Sequence, residues 1–106
     1  MKRHIPFDDI VISTLKDPDK ALHYLEVAIE EFEADGDKEH FLLALRNVTE
    51  AQGGIGALAE RTEMNRQHLY RVLSKNGNPR LDKISSVLHG LGFRLSIQRL
   101  QSSTQP

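Results

Sequence analysis

The chain has 106 residues, 39% of them apolar and 27% charged, with no Cys and no Trp. This is one domain's worth of material, and its longest apolar run, Phe41 to Leu45, falls far short of the roughly 18 residues that a bilayer-spanning helix needs. The net charge of −1 conceals a division: residues 1–50 carry six Lys/Arg against twelve Asp/Glu, or −6, and residues 51–106 carry eight against three, or +5. Such segregation points to a nucleic acid or another anionic partner for the second half and to a basic partner for the first. Zero cysteines exclude disulfides, thiolate metal sites and thiol nucleophiles, as suits a reducing compartment. Met1-Lys2-Arg3 is not followed by an apolar signal region, so a cytoplasmic protein with no membrane contact is expected.

The residues before Asp17, with Pro6 and the alternating Ile10 and Ile12, fit either a short helix or an extended arm. Asp17-Pro18 is a helix start, because Asp accepts from free backbone amides and Pro fits the first helical position. Leu22, Leu25, Ile29 and Phe32 then recur at steps of three and four, which predicts a helix over 18–34. Asp35-Gly36 ends it, Asp37 caps the next, and Phe41, Leu42, Leu45 and Val48 predict a second helix over 38–51. Gly53-Gly54 stops the chain. Ile55, Leu58 and Ala59 predict a two-turn helix to about Arg61, three residues (Thr62-Glu63-Met64) form a turn, and Asn65 opens a helix over 65–74. After the turn chemistry of Lys75 to Pro79, a last helix over 80–90 is closed by Gly90 or Gly92. Phe93, Leu95 and Ile97 alternate with polar residues as a strand does, and Gln101 to Pro106 is expected to be a disordered tail. The expectation is a mainly α fold, a five-helix bundle with a short C-terminal β-strand. Residues 1–52 form an acidic helical segment of it and residues 53–100 a helix-turn-helix region, in one compact domain.

Two short helices joined by a three-residue turn, with the small Ala59 where they cross, have the arithmetic of a helix-turn-helix. The second helix turns Leu69, Val72 and Leu73 inward and projects Arg66, Gln67, Tyr70, Arg71 and Ser74, a stripe with two arginines and no acid. In this motif the second helix lies in the major groove, where Arg reads guanine and Gln reads adenine through paired hydrogen bonds. Arg66, Gln67 and Arg71 are therefore the expected base contacts. Gly54, Asn65, Tyr70, Ser74, Lys75, Asn76, Asn78, Arg80 and Lys83 are the expected phosphate contacts that set register. A single recognition helix reads few bases, so a homodimer on a two-fold symmetric operator is expected, with the strand residues Phe93, Leu95 and Ile97 as its interface. One feature runs against the motif. Glu63 occupies a turn position often held by a left-handed Gly, at a cost on the order of 1 kcal/mol.

Residues from about Phe7 to Ile97 resemble the addiction-module antidote family, HigA-like antitoxins with an XRE, or lambda-repressor-like, helix-turn-helix. The matching pieces are Leu15-Lys16-Asp17-Pro18, Tyr24-Leu25, Phe41-Leu42-Leu43-Ala44-Leu45-Arg46, Gly53-Gly54, Leu58-Ala59, Asn65-Arg66 and Leu69-Tyr70. The run Gly77-Asn78-Pro79-Arg80-Leu81 is the most specific, and Gly90 to Ile97 continues the match. Glu31 to Asp37 departs from the family pattern, being longer and more acidic than its usual link. The resemblance implies an antitoxin that binds operator DNA, represses its own operon and neutralises a RelE-like, RNA-cutting toxin.

Other chemistry finds little support. Histidines 4, 23, 40, 68 and 89 lack the spacing that holds a metal, so neither a metal nor another cofactor is expected. His68 flanks the recognition stripe, as a phosphate contact or a solvated side chain. The carboxylates from Glu30 to Glu39 have no nucleophile beside them and read as a solvated face, which argues against an enzyme. A stand-alone phage-type repressor is the alternative, and an RNA-binding adaptor is weaker because the 6% aromatics do not interleave with the basic residues. The two acidic helices favour a chain with a protein partner, for which residues 1–52 are the expected contact.

Overall fold

The computed structural model describes residues 6–100, so the tail expected at 101–106 lies outside the described residues. Six helices follow one another: α1 (Pro6–Thr14), α2 (Pro18–Asp35), α3 (Lys38–Ala51), α4 (Ile55–Arg61), α5 (Arg66–Val72) and α6 (Leu81–Gly90). Local chemistry sets most of their ends. The Asp17 carboxylate accepts from the amides of Asp19 and Lys20 at 2.8 and 3.4 Å, and Gly36 closes α2 in the left-handed conformation with its N–H on the Phe32 carbonyl. Asp37 caps α3 through the Glu39 amide at 2.9 Å. Gly53 and Gly54 adopt φ of 111° and 93°, a reversal that a β-carbon would strain at both positions, and α4 begins directly behind them.

One core joins the acidic and basic halves. Leu25 and Ala28 of α2, Phe41, Leu42, Leu45 and Val48 of α3, Leu58 of α4, Leu69 and Val72 of α5 and Val87 and Leu88 of α6 are buried in a single cluster. Polar ties cross the same seam. The Arg46 guanidinium of α3 donates to the Leu73 carbonyl at the end of α5, and the Gln52 amide donates to the Leu91 carbonyl at 2.9 Å. Arg61 donates to the Gln52 side-chain and backbone oxygens and to the Gly90 carbonyl, so this cation of the basic half serves the fold. The seam leaves no room at Gly90, where a β-carbon would stand 2.6 Å from Leu58 Cδ1 and 2.8 Å from Thr62 Cγ2. Gly90 is the crossing point of α6 on α4, while Gly92 (φ 96°) is the terminator.

The structure corrects three expectations. There are six helices among the described residues rather than five, because the segment before Asp17 is helical: Val11, Ile12 and Leu15 fall on one side and pack into the core. The C-terminal strand is not seen among the described residues. Phe93 is half-buried with its N–H on the Leu88 carbonyl, but Leu95 to Leu100 run exposed and form no ladder with any of the described residues. An alternating pattern specifies a face, whereas a strand also needs a neighbour to share its hydrogen bonds. Glu63, finally, pays no left-handed penalty, since no non-glycine residue among those described has positive φ. The turn leaves α4 through extended Thr62, whose hydroxyl accepts from the Met64 amide at 3.2 Å, and buried Met64 anchors it.

Candidate nucleic-acid interface

The pair α4 and α5, with the turn between them, presents one helix outward. Asn65 caps α5, its side-chain oxygen accepting from the His68 amide at 2.8 Å, and Leu69, Val72 and Leu73 are buried below. This rotation leaves Arg66, Gln67, Tyr70 and Arg71 exposed, with Tyr70 at 62%. The outward row thus matches the stripe read from spacing, except that Ser74 is half-buried and donates to the Arg71 carbonyl at 3.1 Å.

The expected phosphate contacts divide into separate groups. His68, Arg71, Val72, Asn78, Pro79, Arg80 and Lys83 line one shallow groove between α5 and the start of α6. Arg71 and Arg80 are exposed and Lys83 is half-buried; Arg80 lies 3.6 Å from Asp82, an exposed pair of little energetic weight. Such a groove suits a phosphate backbone, which needs cations and side-chain amides within reach of its oxygens. Lys75 and Asn76 lie elsewhere, lining a depression with Gly36, Asp37, Lys38 and Glu39 of the α2–α3 corner, so two carboxylates offset the field of Lys75. Gly54 is the N-terminal neighbour of α4, without a side-chain cap. Asn65 spends its acceptor on its own helix, which leaves its amide protons for a ligand.

Spacing alone did not locate the seat of Arg66 or the role of Arg46. The Arg66 guanidinium lies over Gly56 in the first turn of α4, a juxtaposition of two helices for which no sequence signal exists. Arg46 is half-buried and holds the far end of α5 through the Leu73 carbonyl. An arginine on the heels of the apolar run Phe41 to Leu45 and one turn from buried Leu42 was the available sign, since a guanidinium drawn partly into a core needs an acceptor.

No helix among the described residues is long and apolar enough to cross a membrane. A family model described as "Probable addiction module antidote protein" matches residues 6–99, nearly the whole of the described chain. No curated protein and no solved structure matches.

Proposed function

We propose that this chain, which belongs to the addiction-module antidote family, is an antitoxin that reads operator DNA with α5, represses its own operon and neutralises a RelE-like toxin. Family membership supports the antitoxin role and a toxin partner in general. The DNA-binding part rests on one observation above the rest: α5 exposes Arg66, Gln67, Tyr70 and Arg71 with no acid among them, beside a groove lined by Arg71, Arg80 and Lys83. Guanidinium and amide groups on a projecting helix can pair with base edges while the cations of the groove hold the adjoining phosphates. On this reading α4 and α5 form a helix-turn-helix of the HigA-like, XRE type.

The reading includes a homodimer. Leu95 and Ile97, which alternate with polar residues after Phe93, are exposed, Ile97 at 96%, and pairing with a second copy would cover them and supply the missing ladder. It assigns the chain no catalysis and no cofactor, and it places the protein in the cytoplasm, where operon and toxin meet. The acidic half is assigned to the toxin, because an RNA-cutting protein holds its substrate with positive charge that an acidic helical face can cover.

The test is a titration of the full chain against duplex DNA from upstream of its own reading frame, beside co-expression with the adjacent frame. Tight, salt-sensitive binding to that duplex over a scrambled one, with rescue of growth from the adjacent product, is expected. DNA binding without rescue would favour a stand-alone repressor, and no preference between the duplexes would remove the operator-reading claim.

A further inference from the structure

Arg66 is exposed, and among the described residues no hydrogen bond or ion pair holds its guanidinium. A long cationic side chain in that condition ordinarily samples many rotamers, at a cost when a ligand must fix one. Here it has a seat. A β-carbon built on Gly56 would stand 2.8 Å from the terminal Nη2 of Arg66, 3.2 Å from its Cζ and 3.5 Å from its Nε, so the guanidinium occupies the space over the bare backbone of the first turn of α4. Gly56 has an ordinary helical conformation with no positive φ, and its backbone gives no reason for glycine. Glycine inside a helix is unfavourable relative to alanine. The space it leaves is occupied by Arg66.

We infer that Gly56 is a positioning residue for DNA recognition: its missing side chain is the seat that aims the Arg66 guanidinium at the nucleic acid. This rests on the DNA-binding reading above and adds to it a residue on the other helix of the motif, one that need not touch DNA itself. The aim of a guanidinium matters because its paired hydrogen bonds require both donors in the plane of the acceptors. A methyl at position 56 would tilt or expel that plane. The obstacle is the far end of a flexible side chain, so the fold can accommodate the methyl by moving Arg66 alone.

The consequence is a pair of effects with opposite signs, which a merely structural glycine would not give. Gly56→Ala is expected to leave the melting temperature unchanged or to raise it, since alanine favours the helix. It is expected to weaken DNA binding about ten-fold, within the range a lost arginine contact gives. The experiment selects preferred duplexes from a randomised library with the unaltered full chain, then measures Gly56→Ala, Arg66→Ala and the double variant on the selected duplex and on its single-base changes. Gly56→Ala should relax preference at the same base position as Arg66→Ala, and the double variant should bind no worse than Arg66→Ala alone. Unchanged binding by Gly56→Ala beside a weakened Arg66→Ala would overturn the inference while leaving the DNA reading intact. So would multiplied losses in the double variant, unchanged binding by Arg66→Ala, or a Gly56→Ala loss that tracks a fall in melting temperature. No selected duplex at all would overturn the DNA-binding reading and this inference with it.

Discussion

Helices α2 and α5 both turn a charged face to solvent, and they differ in how that face is held. The 18-residue α2 carries its own stops, Asp17 and Pro18 at one end and Gly36 at the other, and exposes Glu26, Glu30 and Glu33. The seven-residue α5 is far below the length at which a helix is stable alone, so its geometry is imposed by neighbours. Met64 anchors its entrance, Arg46 its exit, and Gly56 seats its first arginine. On the proposed reading, an acidic face that works by summed charge needs no individual side chain of α2 aimed, although Leu25 and Ala28 dock the helix on the core. A face that reads base edges, as proposed for α5, needs each side chain aimed, and the contacts that would aim it come from α3 and α4.

The sharpest way to break this contrast is through the core that both regions share. Leu45 in α3 and Leu69 in α5 are each fully buried, and either one changed to Ala should cost about 2–5 kcal/mol. Both should lower a single unfolding transition followed by circular dichroism; two separate transitions would mean that the acidic and basic halves fold independently. On this account a fragment of residues 53–106 lacks its partners Leu42, Leu45 and Val48, so dissection of function belongs in the full chain.

Recognition comes next in size. Arg71→Ala and Arg66→Ala should each cost about 1–3 kcal/mol in operator affinity and relax preference at one base position, whereas Lys83→Ala should weaken all duplexes alike. Binding curves on single-base changes of the operator check this, and equal, sequence-blind losses for all three would remove the distinction between reading and holding. Arg46→Ala should cost about 1–2 kcal/mol of stability, because it leaves the Leu73 carbonyl without its donor. Denaturant unfolding measures that cost. A loss of operator affinity larger than the loss of stability explains would show that Arg46 also sets the pitch of α5.

The elements with chemical stops were legible from residues alone: the caps Asp17, Asp37 and Asn65 and the paired Gly53-Gly54 put α2, α3, α4 and the start of α5 within a residue or two of their observed bounds. The residues alone leave the segment before Asp17 open between a short helix and an arm, because the apolar side of α1 becomes visible only once α3 is there to cover it. The terminal segment shows the converse failure. Alternation at Phe93, Leu95 and Ile97 fixes which side is apolar but supplies no ladder partner. For the candidate site, exposure along α5 followed from its period, as Gln67, Tyr70 and Arg71 show. What lies across from each side chain did not, so the carboxylates beside Lys75 and the bare Gly56 beneath Arg66 emerged only in three dimensions.

The smallest expected effect sharpens that point. Lys75→Ala should change operator affinity by less than about 0.5 kcal/mol and by less than Lys83→Ala does, because Asp37 and Glu39 share its depression while Lys83 lines the cationic groove. Titrations at two salt concentrations separate the two lysines: Lys83→Ala should reduce the salt slope by about one and Lys75→Ala should leave it nearly unchanged.

The division of labour is tested most directly by crossing two full-length variants with two partners. One variant carries Glu26, Glu30 and Glu33 changed together to Gln, the other carries Arg71→Ala, and each is titrated against the upstream duplex and against the product of the adjacent frame. The account predicts that the Gln variant binds DNA as the unaltered chain does or slightly better while capturing the toxin more slowly and with weaker salt dependence. Arg71→Ala is predicted to lose DNA and keep the toxin. An Arg71→Ala chain that still reads its operator, or a Gln variant whose toxin capture is unchanged in rate and in salt dependence, would contradict it.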